Sequence, residues 1–219
     1  MQEKNEILCL TRDLRVCCAH AQETRKSTEI CQKSIETRQK STKTSKNKGK
    51  ISINEEKSGN NFFMKKFLEN TEKQIVVVCF GTPLVTGDAL GPKVGSLLQT
   101  WNVPCFVYGT EARPVTATNM IEYMAHIQRV HGEATILSVD ASLGKKEKIG
   151  QITVRKDGVC PAGVKGEKRR FGDVGLLGVV GENNAEPMKE LLTISEDYIV
   201  KMAYKVAVVI KQAICEAVV

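Results

Sequence analysis

Three short, unbroken apolar runs decide what this chain can fold into. They are Ile75-Val76-Val77-Val78-Cys79-Phe80, Ala134 to Val139, and Val174 to Val180. A strand with one wet face alternates polar and apolar residues. A strand that is apolar at nearly every position is buried on both faces, which is the habit of a parallel sheet covered by helices. Between the runs the spacing becomes helical. Leu90, Val94, Leu97, Leu98 and Trp101 form one stripe, and Ala117, Met120, Ile121, Met124, Ile127 and Val130 form another within Pro114–Val130. Cys105–Tyr108 reads as a further strand. Ile149–Arg155 alternates between turn residues and reads as an antiparallel partner. Helices are expected over Glu186–Leu192 and Tyr198–Val218. Strands alternating with helices predict an α/β fold, a three-layer α/β/α sandwich with a mainly parallel sheet.

The first 61 residues differ from the rest. They are rich in Lys, Thr, Ser, Glu and Gln, and Thr42–Lys50 cannot bury a core. The expected division is a disordered basic tail over 1–61 and one globular domain over 62–219. An amphipathic helix around Phe62, Phe63, Phe67 and Leu68 opens that domain. The composition break also marks Met64 as an alternative start, with the preceding segment then not part of the natural protein. Residues 1–60 hold 13 Lys/Arg against 8 Asp/Glu, and the remainder holds 19 against 17. The basic character thus belongs to the tail, and nucleic acid is disfavoured as the partner of the domain. None of the eight cysteines forms a zinc-type spacing, and Cys79 and Cys105 sit inside apolar runs, so a reducing cytoplasmic compartment is expected. Ile7–Leu10 is too short for a leader, and no run approaches the roughly 20 residues of a membrane span.

Chemistry is expected where strands meet loops. The segment Gly81-Thr82-Pro83-Leu84-Val85-Thr86-Gly87-Asp88-Ala89-Leu90-Gly91-Pro92 follows the first apolar run and opens a helix. Its glycines do not match a dinucleotide or phosphate-binding pattern. Asp88 stands in this loop, Asp140 ends the run Thr135–Asp140, and Asp173 precedes Val174. Two carboxylates at the same sheet edge can share work as base and acid on a water, or hold a divalent cation. Each also has a local reading: Asp88, or Gly87, as a helix cap, and Asp140 and Asp173 as turn residues. His126 and His131 read as structural or surface groups. Lys165, Lys168, Arg169 and Arg170 form a basic loop.

Phe80–Pro92, Val107-Tyr108-Gly109-Thr110, Val139-Asp140-Ala141-Ser142-Leu143-Gly144 and Gly172-Asp173 resemble, in order and spacing, the YyaC-type sporulation proteins of spore-forming Firmicutes. These blocks span about residues 74–212. The resemblance implies the fold of hydrogenase maturation endopeptidases and of the spore germination protease. In the former, acidic residues at positions like Asp88 and Asp140 bind nickel together with a histidine, and no histidine stands near Gly172-Asp173-Val174 here. The germination protease works with two aspartates and no required metal, a pattern that Asp88 and Asp140 match. The implied function is a sporulation endopeptidase acting on a protein or peptide, with Asp88, Asp140 and Asp173 as catalytic residues. Thr86, Gly87, Ser142 and Lys168 are the expected substrate contacts. The cofactor is none or a divalent metal held by Asp88 and Asp140, and a homo-oligomer is left open. The alternative is a non-catalytic binding or regulatory protein on a protease-like scaffold. The expected location is the cytoplasm of the sporulating cell or forespore.

Overall fold

A computed structural model describes residues 73–161 and 170–217. The tail over 1–61, the helix expected at Phe62–Leu68 and Lys168 all lie outside the described residues. Among the described residues five strands form one sheet: β1 (Ile75–Cys79), β2 (Phe106–Tyr108), β3 (Thr135–Gly144), β4 (Ile152–Lys156) and β5 (Val174–Glu182). The α-helices among the described residues are α1 (Leu90–Thr100), α2 (Met120–Val130), α3 (Pro187–Thr193) and α4 (Glu196–Ala217). The sheet order is β2-β1-β3-β5-β4. All neighbours are parallel except β4, which pairs antiparallel with β5 as its alternating sequence predicts.

The continuous apolar runs are buried on both faces, for the reason the sequence implies. Ile75, Val77 and Cys79 of β1 point into one cluster with Leu137, Val139, Val174 and Leu176. That face is covered by Leu90, Val94 and Leu98 of α1 and by Ile199, Met202, Val206, Ile210 and Ile214 of α4. Val76, Val78 and Phe80 point the other way, against Val115, Met120 and Ile127 and against Val159 and Phe171. Each such fully buried side chain contributes about 1.5–3 kcal/mol. The fold is therefore an α/β/α sandwich with a mainly parallel sheet.

Two expectations of extent change. The helix expected from Pro114 begins only at Met120, because Val115 bridges Phe80 and Asn119 closes a turn. The Asn119 side chain accepts from the Thr116 N–H at 2.8 Å and donates to the Pro114 carbonyl at 3.1 Å. β3 does not stop at Asp140 but runs to Gly144, because β5 goes on pairing with it past a register shift between Ser142 and Leu143.

The topology sets the position of the site. From β1 the chain passes through α1, on one face, to β2. It then passes through α2, on the opposite face, and returns across β1 to β3. Adjacent β1 and β3 thus send their following segments to different sides. At such a switch point a crevice opens outside the carboxyl ends of the strands, and ligands bind there in open α/β sheets.

Candidate functional site

Asp88 reaches the crevice on a short 3-10 turn, Thr86–Ala89, that runs directly into α1. Two glycines let the turn lie against the end of β1. A Cβ on Gly81 would stand 2.1 Å from the Asp88 carbonyl oxygen, and one on Gly91 would stand 2.0 Å from that of Phe80. Asp88 does not cap the helix. Its Oδ2 accepts the Thr82 N–H at 2.7 Å, reaching back across the loop, while its own N–H donates to the Val85 carbonyl at 3.0 Å. Thr82 is the residue that the sequence reading missed. It acts through its backbone, and a backbone donor leaves no signature in residue type.

Asp140 comes from β3, inside the strand rather than at its end. The β1–β3 ladder finishes with Cys79 opposite Val139, and the Phe80 N–H donates to the Val139 carbonyl at 2.8 Å. The next residue along β3 is Asp140, so it stands where β1 has run out. The residue is 7% exposed, and its Oδ1 accepts the Ala141 N–H at 2.8 Å.

The two carboxylates feel each other. Burial holds Asp140 well above the ordinary carboxylate range and the negative charge of Asp88 pushes it further, with the Ala141 hydrogen bond only partly opposing. Burial also raises Asp88, less strongly, against the lowering effect of the Thr82 N–H. Desolvation and like charge thus act together on Asp140, while Asp88 is half-buried and retains a donor that favours its anion.

The structure does not bring Asp173 to this pair. In a parallel sheet the start of one strand lies at the edge opposite the ends of its neighbours, and Asp173 immediately precedes β5. Its Oδ2 accepts the Ile136 N–H at 2.7 Å, and its N–H donates to the Ile136 carbonyl at 2.8 Å. Ile136 is four residues before Asp140 on β3, about 13 Å at the usual strand rise. Asp173 therefore ties β5 to the start of β3, and its proposed catalytic place is corrected to a structural one. Asp173→Ala is expected to lower stability by about 1 kcal/mol, the usual net worth of such a bond. Thermal unfolding checks the loss, and any peptide cleavage by the variant is expected to keep its wild-type rate.

The expected substrate contacts separate in the same way. Thr86 opens the 3-10 turn and is half-buried beside the crevice. Gly87 is buried, and a Cβ there would meet Leu191 Cδ2 at 2.7 Å and Ile194 Cδ1 at 2.9 Å, so it packs the turn against α3. Ser142 lies two residues beyond Asp140 on β3, and its Oγ donates to the Gly178 carbonyl at 3.4 Å.

The donor set at the pair is two carboxylates. Among the described residues there is no group of three or more His, Cys, Asp and Glu side chains placed to hold a metal ion. Two hard oxygen donors without an imidazole or thiolate do not make the nickel site that the sequence resemblance raised.

A model of the family described as "Protein of unknown function (DUF1256)" matches residues 48–213, and the chain belongs to that family. It is similar to "Uncharacterized protein YyaC" of Bacillus subtilis (strain 168), 39% identical over 110 residues, which are 49% of this chain and 54% of that protein. The chain thus spans about half the length of this relative, and the YyaC-type resemblance read from the motif order is borne out. Among solved structures it is similar to a [NiFe] hydrogenase maturation protease, HycI, from Thermococcus kodakarensis. That likeness has a TM-score of 0.46 and 14% identity, over 69% of this chain and 98% of the other.

Proposed function

We propose that the protein is a hydrolase of peptide bonds that uses Asp88 and Asp140 as a base and acid pair. The observation that carries this reading is the placement of a buried carboxylate, Asp140, within the field of a second one, Asp88, at the switch point of the sheet. Like charges so placed do not both ionise readily, and the pair holds one proton over a range of pH. Asp88, supported by the Thr82 N–H, carries the charge. Asp140, buried, carries the proton.

In this state Asp88 accepts a proton from a water whose oxygen attacks the scissile carbonyl carbon. Asp140 gives its proton to the nitrogen as the C–N bond breaks. The products are a carboxylic acid and an amine, and proton exchange with solvent and between the two carboxyls restores the starting form. The place of this activity in sporulation, in the cytoplasm of the sporulating cell or forespore, follows from the resemblance to YyaC-type proteins. The substrate is taken to be a protein or peptide on the same ground.

The test is cleavage of peptide libraries by wild-type protein and by Asp88→Asn and Asp140→Asn. Retained cleavage in both variants would remove the assignment. The wild-type rate is also expected to be bell-shaped in pH. Below the lower apparent pKa of the pair both carboxyls are protonated and the base is lost; above the upper one both are ionised and the acid is lost. Both shifts are upward, so the whole active window is expected above the ordinary carboxylate pKa near 3.8. A pH–rate profile that is already flat from pH 3 upward would contradict the shared proton.

A further inference from the structure

A cavity of about 580 Å³ lies beside β2 and does not include Asp88 or Asp140. Val107 and Tyr108 of β2 line one side, and Tyr123 and His126 of α2 line another, with Arg113 and Glu122 also in the lining. Such a volume suits a drug-sized ligand or a few peptide residues. β2 is the edge of the sheet among the described residues, pairing with β1. An edge strand offers unpaired backbone groups that an extended peptide can match by adding as a further strand.

The aromatic wall is held in place. The Tyr108 hydroxyl and His131 Nε2 are 3.0 Å apart, and His131 Nδ1 contacts Gln74 Oε1 at 2.5 Å. Around the fixed Tyr108 ring, Tyr123 stands edge-on with centroids 6.3 Å apart and His126 edge-on at 6.1 Å. An aromatic side chain entering the cavity and packing against them extends the same edge-to-face packing. Arg113 and Glu122 are exposed, and neither has an ion-pair partner among the described residues. Their opposite charges cancel, which suits a neutral ring in the cavity better than a cationic or anionic side chain.

We infer that this edge and cavity form a docking site for an extended peptide segment, which adds along β2 and seats an aromatic side chain in the cavity against Tyr108, Tyr123 and His126. The inference rests on the hydrolase reading in taking the ligand to be the substrate. Strands are about 4.8 Å apart, so a peptide on the outer side of β2 lies about 15 Å from β3, two strands further in. An extended chain covers that distance in about four or five residues. The anchored ring therefore belongs at least about four or five residues from the scissile bond.

Binding is measured on the full chain carrying Asp140→Asn, so that turnover does not enter. The probes are immobilised decapeptide libraries, each with one position fixed as one amino acid. Selection of Phe, Tyr or Trp at one position is expected. Tyr123→Ala and the exposed His126→Ala, each added to this background, are expected to weaken binding of the selected peptides by about tenfold and remove the preference. N-methylation of alternate backbone amides of the best peptide is expected to abolish binding, because it blocks strand pairing without touching the protein. No aromatic preference, a preference unchanged in His126→Ala, or tolerance of N-methylation at every position would each overturn the inference. Aromatic selection with no cleavage by wild-type protein supports the docking site and strikes the hydrolase reading. Cleavage by wild-type protein without aromatic selection overturns the docking site alone.

Discussion

Replacing Asp140 by Asn is expected to slow peptide cleavage severely and to raise the melting temperature at neutral pH. The two effects have one cause. Asp140 is buried beside another carboxylate, and both circumstances disfavour its charge. A carboxyl whose pKa is raised in the folded state stabilises that state while it stays protonated in both states. The stability is lost as pH rises above the unfolded value and through the folded one. Wild-type protein is thus expected to lose stability from about pH 4 upward until Asp140 is ionised, with Asp88 adding in the same direction. Asparagine keeps an oxygen for the Ala141 N–H and removes the charge. The variant is expected to gain about 1–2 kcal/mol at neutral pH, typical of removing a functional group held at a cost in stability. For a chain of this size each kcal/mol is about 2–4 °C in melting temperature. In the proposed mechanism the same change removes the acid, and loss of a positioned acid or base slows a reaction by about 10²–10⁴-fold. Circular dichroism melts from pH 4 to 8 and chromatographic cleavage assays read the two outcomes. A variant less stable than wild type at every pH, by a constant amount, would show that Asp140 is held as a satisfied anion and not as half of a proton-sharing pair.

Much of this arrangement was legible in the residues, and what was not has physical reasons. Unbroken apolar runs required a sheet covered on both faces, and β1 is so covered by α1 and α4 on one side and α2 on the other. In a parallel sheet, acids that follow strands gather at one edge, so the order of the elements alone puts Asp88 and Asp140 at the same edge. The same rule places Asp173, which precedes a strand, at the other edge, and its assignment to the site overlooked that. The true length of β3 was hidden because Asp140, Ser142 and Gly144 break the apolar run, although β5 holds them in the ladder. The late start of α2 depends on the Val115–Phe80 bridge, a tertiary contact that helical periodicity does not register. The cavity beside β2 was invisible for a related reason. Its walls come from separate elements, and the ring geometry exists only once α2 packs on the sheet face beside β2.

The glycines of the first loop carry the other large expected effect. They fit no nucleotide-binding pattern, and the structure gives them a different task. Gly81 has φ of +131°, a conformation side chains rarely adopt, and its missing Cβ leaves room for the Asp88 carbonyl. Gly81→Ala adds backbone strain of about 1–3 kcal/mol. It also forces the turn off the end of β1, because the obstructing atom belongs to the backbone and cannot rotate away. A total loss of at least about 3 kcal/mol is expected, or about 6–12 °C in melting temperature. Gly91→Ala, crowded against the Phe80 carbonyl at 2.0 Å, is expected to behave alike. A displaced turn takes Asp88 away from Asp140. In Gly81→Ala the decline of stability with rising pH is therefore expected to be shallower than in wild type, since the repulsion that raises Asp140 is weakened. That second readout separates a moved carboxylate from a merely weakened fold. A Gly81→Ala protein within about 0.5 kcal/mol of wild type, with the wild-type dependence on pH, would mean that the turn is not pressed against β1 and that the approach of Asp88 to Asp140 does not depend on it.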